Sequence, residues 1–342
     1  MDFTISNISV KSGTRLNERL TYAKKPDGEP LTIPLSIING KNSGPVLCLN
    51  TGTHGDEPEG TIAILDILEE IDPLNFSGVL VGIPALNVSA FTSKVSVDVS
   101  GIRENPLDWK NLARIFPGNP QGTVTERLAD TVVKEIIPNV DYVVDFHSGG
   151  SRGTSHFISG FVGVDNDLGK KSMELAKMFP IKTLWRISPW AKFASTCIDK
   201  KTPISIVETT GQGRADKKDV DILKIGIRNV MKKLNMIDGN ISNLPKNREL
   251  IDSETYIYAK VGGILRPNVT TGDKVKKGEK IGKVINIYGE VNEKVVSPHD
   301  GIVTGVRTKP VAWAGEPLYL VGKMMKLNDA FKPRDKDYVT PP

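Results

Sequence analysis

The sequence predicts a mixed α/β domain, with a largely parallel sheet flanked by helices, followed by a small all-β domain. Between residues 45 and 234, compact apolar runs alternate with amphipathic segments of helical period. That alternation is typical of a sheet covered by helices on both faces. After residue 252 the helical period is lost, and short strands are separated by Gly and Asp turns. We therefore expect two domains, at residues 1–248 and 249–342.

The first 40 residues are expected to form a β-rich segment of the first domain. Residues 3–10 and 31–37 alternate between apolar and polar side chains. This period of two is typical of antiparallel strands with one exposed face. We therefore expect short strands and turns before the alternation of strands and helices begins.

The segment that follows contains four apolar runs and four amphipathic segments. The runs, expected to be strands buried on both faces, are residues 46–49, 79–83, 142–146 and 204–207. The amphipathic segments, expected to be helices, are residues 59–71, 124–137, 168–179 and 218–234. Pro58 lies where the first turn of a helix tolerates proline. These elements account for the predicted α/β sheet.

The C-terminal domain begins after a turn-rich linker around residues 238–245. Its short strands and Gly/Asp turns, between residues 252 and 323, resemble the small β-sandwich of biotinyl and lipoyl carrier domains. The turn at 298–301 reads Pro-His-Asp-Gly and offers no lysine where a carrier domain has its modified one. We therefore expect a structural or gating domain rather than a swinging arm.

Composition and charge argue against several classes of protein. The chain has 342 residues, 39% apolar and 25% charged, and its 45 basic and 40 acidic residues give a net charge of +5. The lysines are scattered rather than gathered in one stripe, which argues against a nucleic-acid partner. No apolar run approaches the roughly 20 residues that span a bilayer, and the N-terminus lacks a signal-peptide pattern.

Cys48 and Cys197 are expected to be free thiols of a reducing compartment, which predicts the cytoplasm. The oligomeric state is open, a homo-oligomer included.

His54 and Glu57 form an H-x-x-E pair directly after the apolar run at 46–49. Such a pair can give a metal ion two ligands from one turn. His147, at the end of the run at 142–146, is the best candidate for a third ligand. Two histidines, one carboxylate and a position left for water are the form of a hydrolytic zinc site. The three residues therefore predict hydrolysis.

The H-x-x-E pair is a weak signal by itself, because chance produces one in about one such chain in five. The alternative is that His54 caps a turn while Glu57 opens the next helix, where the helix dipole favours an acidic residue. Placement favours the metal site. Both histidines follow predicted strands, and ligands of open α/β sheets gather at the carboxyl ends of the strands.

Five motifs occur in a fixed order along nearly the whole chain. They are Gly-Thr-His-Gly-Asp-Glu at 52–57, Ile-Pro-Ala-Leu-Asn at 83–87, the segment from Arg-Glu-Asn-Pro to Phe-Pro-Gly at 103–118, Asp-Phe-His at 145–147 and Val-Glu at 207–208. In this order they resemble the succinylglutamate desuccinylase/aspartoacylase family, relatives of the zinc carboxypeptidases. The resemblance implies a zinc-carboxypeptidase-like sheet and one Zn²⁺ per chain, held by His54, Glu57 and His147. It also implies hydrolysis of a small-molecule substrate, an N-acyl amino acid or N-acyl diamino acid.

The same resemblance gives roles to three more residues. Glu208 matches the glutamate that acts as general base toward the zinc-bound water and then as proton donor to the leaving amine. Arg103 matches the arginine that polarises the scissile carbonyl, and Arg114 matches one that binds a substrate carboxylate through its planar guanidinium. The alternative interpretations are a helix-cap or salt-bridged glutamate at a strand end for Glu208, and surface ion pairs with Glu104 or Asp108 for the two arginines.

The chain departs from the family pattern at residues 111–114. The family has Asn-Leu-Asn-Arg or Asp-Leu-Asn-Arg, whereas this chain has Ala113 before Arg114. The missing asparagine removes one hydrogen bond to a substrate carboxylate, which costs about 1 kcal/mol. Either Asn105 or Asn111 compensates, or the substrate lacks a carboxylate at that place. We predict Arg114 and Asn111 as substrate-binding residues.

Two other functions stay open. A metallocarboxypeptidase for small peptides would use the same ligands but would need an open cleft. A catalytically silent metal- or ligand-binding protein would hold the metal ion without turnover. Trp185 and Trp190, in the segment between His147 and Glu208, are interpreted either as an apolar wall of the substrate pocket or as packing against the sheet.

Overall fold

A computed structural model describes residues 1–96, 99–188 and 191–334 of the chain. The N-terminal segment forms two antiparallel hairpins. Its strands are β1 (Phe3–Ile5), β2 (Ile8–Val10), β3 (Thr14–Lys24) and β4 (Pro30–Asn39). A turn in which Ser6 has a φ of 52° divides the apolar-polar run at 3–10 into β1 and β2.

The central segment alternates strands with helices. Its strands are β5 (Asn42–Asn50), β6 (Ser77–Ile83), β7 (Lys94–Ser96), β8 (Val99–Ser100), β9 (Tyr142–Ser148), β10 (Gly153–Ser155), β11 (Ile158–Phe161), β12 (Thr183–Arg186) and β13 (Ile204–Thr209). Its α-helices are α1 (Glu59–Glu70), α2 (Val88–Phe91), α3 (Val124–Thr131), α4 (Asp167–Lys177), α5 (Lys192–Asp199) and α6 (Lys217–Lys233). Turns of 3-10 helix lie at Pro73–Asn75, Leu112–Arg114 and Ile137–Asn139, and a π-helical turn, Val132–Ile136, continues α3. None of the helices described is both long enough and apolar enough to cross a membrane.

The C-terminal segment consists of short strands, as predicted. They are β14 (Glu249–Tyr258), β15 (Gly263–Pro267), β16 (Lys274–Val275), β17 (Lys280–Ile285), β18 (Val291–Val296), β19 (Gly301–Arg307), β20 (Val311–Ala312) and β21 (Pro317–Met325). All residues from 252 to 323 are described and none of them is helical; a 3-10 turn, Leu327–Asp329, follows β21. The predicted small all-β region is therefore present.

One large mixed sheet contains strands from all three segments. Within the described residues its order is β10-β19-β21-β14-β12-β11-β13-β9-β5-β6-β4-β3, and β16 pairs with β19. The strands β6, β5, β9 and β13 are parallel neighbours, as are β11, β12 and β14, whereas β11 is antiparallel to β13. The predicted mixed α/β class is confirmed, but the prediction of a largely parallel sheet is correct only for its centre, because the pairs that include β3, β4, β10, β16, β19 and β21 are antiparallel. The parallel centre places the carboxyl ends of β5, β9 and β13 at one edge of the sheet.

Helices cover both faces of this sheet. Neighbouring residues of a strand point to opposite faces, so each central strand contributes side chains to two apolar cores. Cys48 and Val143 belong to an apolar core that includes side chains of α3 and α5. Leu49 and Val144, the next residues of the same strands, belong to a core that includes α1, α4 and α6. Full burial of one such aliphatic side chain contributes about 1.5–3 kcal/mol. The central strands are therefore apolar throughout, which is the pattern that predicted them.

The C-terminal segment has an apolar core of its own. The strands β18, β17, β15 and β20 form a four-stranded sheet. Its side chains share a core with β19 and β21, and that core includes Ile281, Val303 and Tyr319. The strand β14 pairs in parallel with β12, so the large sheet continues across residue 248. The division into two domains stays a prediction, as does the likeness to carrier domains.

Candidate active site

The predicted metal ligands lie where two neighbouring strands end. After β5 the chain turns through Gly52, which has a φ of 68° and whose Cβ would lie 2.8 Å from Ala85 Cα. A glycine relieves both constraints, so the loop can bring His54 and Glu57 over the edge of the sheet before α1 begins. His147 lies at the end of the parallel neighbour β9. The parallel arrangement therefore brings the two strand ends to one place.

The structure brings His54, Glu57 and His147 together. One ligand atom from each lies within 4.8 Å of the others. His54 Nδ1 is 2.7 Å from Glu57 Oε1, and His147 Nδ1 is 2.9 Å from Glu57 Oε2. The three side chains are at most 9% exposed. Each carboxylate oxygen therefore faces a different imidazole in a buried site.

Acceptors behind both imidazoles determine which ring nitrogen faces the central carboxylate. His147 Nε2 is 3.1 Å from Asp145 Oδ2, and His54 Nε2 is 3.1 Å from Asn111 Oδ1. Asn111 Oδ1 also accepts a hydrogen bond from the Ala113 N–H, so the oxygen of this amide faces the ring. Both Nε2 atoms therefore donate, and in neutral rings both Nδ1 lone pairs point at the carboxylate.

This set of atoms fits a divalent metal ion. A lone pair that faces a carboxylate oxygen at hydrogen-bond distance needs a proton or a cation between the two atoms. Zinc binds imidazole nitrogen and carboxylate oxygen, and its histidine ligands usually donate their other N–H to an acceptor behind the ring. His54, Glu57 and His147 would hold the ion, while Asp145 and Asn111 would orient the rings.

Charges around the three ligands shift their pKa values in different directions. Burial alone would raise the pKa of Glu57, but His54 and His147 lower it well below its usual range. Burial would lower the pKa of His147, yet Asp145 and Glu57 raise it well above its usual value. Burial, followed by the charge of Arg103, lowers the pKa of His54. The carboxylate is thus held ionised, as a metal ligand must be.

Glu208 lies beside the three ligands on β13. It is in register with His147 across the parallel pair and lines the same cavity. Burial raises the pKa of Glu208 to about 8; His147 opposes this rise, while the carboxylates of Glu57 and Glu254 add to it. A carboxyl with a pKa near neutrality suits a group that accepts a proton and returns it.

Arg103 and Arg114 both line the cavity but have different partners. Arg103 donates from Nη1 to Glu57 Oε1 at 3.2 Å. Burial alone would lower the pKa of Arg103, and the Glu57 carboxylate raises it. Burial lowers the pKa of Arg114, and this is opposed by Tyr256, with which Arg114 shares a hydrogen bond. Arg103 therefore contacts a candidate ligand, whereas Arg114 is held by the C-terminal strand β14.

The cavity also contains residues of the C-terminal segment, which were not predicted from the sequence. Glu254, Tyr256 and Tyr258 alternate along β14 and all line the cavity, because every second residue of a strand faces the same side. Thr304 of β19 lines it too and donates to Glu254 Oε1 at 2.6 Å. The alternation is visible in the sequence. Which set of alternating side chains faces the cavity depends on how β14 pairs with strands that are distant in the chain.

The cavity has a volume of about 710 Å³. Its wall contains the predicted Asn111 together with Ala113, the position at which the resemblance implied an asparagine. Trp185 also lines it, whereas Trp190 lies outside the described residues. Cavities of this volume bind small molecules, usually with most of the ligand surface buried.

Comparisons with known proteins show which family the chain resembles. Residues 43–234, which contain every predicted site residue, match the family model described as the succinylglutamate desuccinylase/aspartoacylase catalytic domain. The N-alpha-acetyl-L-2,4-diaminobutyric acid deacetylase of Halomonas elongata is 26% identical over 305 residues, which cover 86% of this chain and 86% of that protein. The product-bound structure of the ectoine utilization protein EutE (DoeB) from Ruegeria pomeroyi has a TM-score of 0.83 at 24% identity and covers 93% of this chain and 98% of that one. A succinylglutamate desuccinylase/aspartoacylase from Rhodobacter sphaeroides has a TM-score of 0.80 at 25% identity, with coverage of 91% and 96%.

Proposed function

The chain belongs to the succinylglutamate desuccinylase/aspartoacylase family, and from this premise we propose that it hydrolyses the amide bond of an N-acyl amino acid or N-acyl diamino acid. One observation carries the proposal: two Nδ1 atoms face the two oxygens of the Glu57 carboxylate in a buried site. Such a site suits a divalent cation. The Halomonas elongata relative, by its name, removes the acetyl group from an N-acetyl diamino acid.

We propose one Zn²⁺ per chain as the cofactor, held by His54, Glu57 and His147. When bound, zinc supplies Lewis acidity at the substrate carbonyl and lowers the pKa of water in the site. Asp145 and Asn111 support this assignment, because each accepts the Nε2 proton of one histidine and so leaves the Nδ1 lone pair of that ring available to a metal ion.

The side chains around this centre move the proton and stabilise the charges. Glu208 accepts a proton from water as the water oxygen bonds to the carbonyl carbon, and it returns a proton to the amine nitrogen as the C–N bond breaks. Arg103 has five N–H donors, so it can hold Glu57 and also donate to the carbonyl oxygen as negative charge develops there. Arg114 and Asn111 bind a substrate carboxylate. The products are a carboxylic acid and a free amine.

The residues of the cavity wall support a small substrate in preference to a peptide. Glu254, Tyr256 and Thr304 of the C-terminal strands form part of the wall, in addition to the residues of the central segment. A carboxypeptidase would need an open cleft at this place. The two cysteines of the chain are free and buried, which supports a reducing compartment such as the cytoplasm.

Metal analysis combined with turnover of N-acetyl-L-2,4-diaminobutyrate tests the proposal. The purified zinc-loaded protein should contain one Zn²⁺ per chain and release acetate. Glu208→Gln should keep the zinc and lose turnover by about 10²–10⁴-fold, because only the proton acceptor is removed. His147→Ala should lose zinc as well as activity.

Equal loss of zinc in both variants would contradict this division of roles. Bound zinc in the unmodified protein without turnover of any compound in a panel of N-acyl amino acids and N-acyl diamino acids would favour a silent metal-binding protein instead.

A further inference from the structure

Glu254 is a buried carboxyl in the cavity wall that the proposed reaction does not use. It lies on β14 and is 8% exposed. Its Oε1 accepts a hydrogen bond from Thr304 Oγ1 at 2.6 Å. Burial raises the pKa of Glu254 and the Thr304 hydroxyl opposes the rise; no lysine, arginine or histidine among the described residues forms an ion pair with it. Within the part of the chain that the structure describes, the carboxyl is therefore held in position without an ion-pair partner.

Two other charged pairs in the cavity wall show the usual way in which such groups are neutralised. Arg103 donates to Glu57 at 3.2 Å, and Arg307 donates to Glu316 at 3.0 Å. The carboxyl of Glu254 is instead near enough to Glu208 to raise the pKa of that residue further. Two buried carboxyls that face one cavity repel each other when both are ionised, and a cation between them removes that cost.

We propose that Glu254 binds the free ammonium group of an N-acyl diamino acid and so selects this substrate class over N-acyl amino acids with neutral side chains. The inference rests on the function proposed above. Acylation of one amine of a diamino acid leaves the second amine cationic, and an ammonium group is the partner that a buried carboxylate lacks. Thr304 holds one oxygen of Glu254 and leaves the other for the ligand.

Neighbouring residues on β14 fit the same ligand. Tyr256 and Tyr258 lie on the same face of the strand as Glu254, and their rings stack with centroids 5.9 Å apart. Aromatic faces attract cations. Tyr256 also holds Arg114, the proposed carboxylate ligand, so one short strand supplies groups for both charges of an amino-acid substrate. All three residues lie outside the segment 43–234 that the family model matches.

A pair of substrates and one variant test the proposal. N-acetyl-L-2,4-diaminobutyrate carries an ammonium group where N-acetyl-L-norvaline carries a methyl group of similar size. The zinc-loaded protein should prefer the first in kcat/KM by roughly 10- to 100-fold, the range for a charge-assisted hydrogen bond. Glu254→Gln should abolish most of this preference, and Glu254→Asp, which keeps the charge, should retain part of it. Glu249→Gln, on the same strand but outside the cavity, should leave the ratio unchanged.

Binding of the corresponding product amino acids tests the ammonium site independently of the hydrolysis reaction. Calorimetry with L-2,4-diaminobutyrate and L-norvaline should show the same preference, lost in Glu254→Gln, while thermal melting confirms that the variant is folded. If neither acetylated substrate is hydrolysed but the binding preference depends on Glu254, the proposed function is wrong and the ammonium site stands. If both substrates are hydrolysed and both products bound equally well, or if Glu254→Gln leaves the preference intact, the ammonium site is wrong and the proposed function stands.

Discussion

Different acceptors hold the two imidazoles of the candidate site from behind. Asp145 Oδ2 accepts from His147 Nε2, while its Oδ1 accepts from Asn50 Nδ2 at 2.7 Å, and the residue is 1% exposed. His54 has the neutral amide oxygen of Asn111 in the corresponding place. An ionised acceptor makes a ring more basic than a neutral one does. The pKa of His147 is accordingly raised and that of His54 lowered by the balance of burial and charge.

Replacement of Asp145 should weaken the metal site without removing a ligand. In Asp145→Asn the ionised acceptor behind His147 is lost, so zinc affinity should fall by about 10- to 100-fold. Competition with a chromophoric chelator measures this affinity. Asp141→Asn, an exposed position immediately before the same strand, is the matched control and should bind zinc normally. Unchanged affinity in Asp145→Asn would mean that packing alone orients the ring.

Asn111 has less freedom to bind substrate than the sequence suggests. Its Oδ1 accepts a hydrogen bond from the Ala113 N–H and lies 3.1 Å from His54 Nε2, so this oxygen already has two partners. A substrate carboxylate needs donors, and the amide nitrogen of Asn111 is the group that can supply one. The predicted role of Asn111 therefore depends on its Nδ2 atom, with the Arg114 guanidinium as the main donor.

At the level of elements, the sequence predicts the strands and helices that have a clear apolar pattern within their own residues. The strands β5, β9 and β13 contain apolar runs long enough to identify them. The strands β11 and β12 have four residues each and were not predicted. In β11, Gly160 leaves room for the Trp185 ring, since its Cβ would lie 2.8 Å from Trp185 Cε3. Such a strand is specified by packing against its neighbour, which local sequence does not encode.

The same distinction applies to the site. His54, Glu57, His147 and Glu208 follow or end strands that the sequence identifies, so their placement at one sheet edge was predictable. Glu254 is different, because its position depends on the pairing of β14 with β12, whose partners are about 66 residues apart in the chain. That pairing is a property of the folded sheet.

A chain that ends at residue 248 should lose cooperative folding. The strand β14 pairs with β12, and Leu250 shares an apolar cluster with Phe161 and Leu184. Truncation would leave β12 as an unpaired edge and expose this cluster to water, which favours aggregation. Thermal unfolding of the truncated chain, monitored by circular dichroism, should show no sharp transition. A cooperative transition with a Tm near that of the full chain would instead support residues 1–248 as an independent domain.

On the scale of the whole molecule, two parts of the chain supply different residues to the cavity. The candidate metal ligands and Glu208 lie within the segment 43–234 that the family model matches. Glu254, Tyr256 and Thr304 come from strands beyond it. A proton acceptor and a metal site serve the hydrolysis of any amide, whereas substrate choice depends on the groups that surround the rest of the ligand. We therefore expect substitutions in the C-terminal wall to change which amide is hydrolysed more than whether one is.

Zinc should also stabilise the protein as a whole. The proposed ligands His147 and Glu57 are 90 residues apart in the chain, so the unfolded state has no preformed site and the binding free energy would add to the free energy of unfolding. At a free zinc concentration 100 times Kd the gain is about 2.7 kcal/mol, which raises the Tm of a chain of this length by about 4 °C. Differential scanning calorimetry with zinc and with excess chelator measures the shift.

Three variants show which side chains the shift depends on. Glu208→Gln should keep the full rise in Tm, because a proton acceptor outside the coordination shell adds nothing to metal affinity. His147→Ala should show none. His299→Ala, which removes a partly exposed turn histidine, should behave like the unmodified protein and so account for adventitious zinc. If Glu208→Gln lost the rise along with His147→Ala, Glu208 would be a metal ligand, and the proton acceptor would have to be sought among the other buried carboxyls of the cavity.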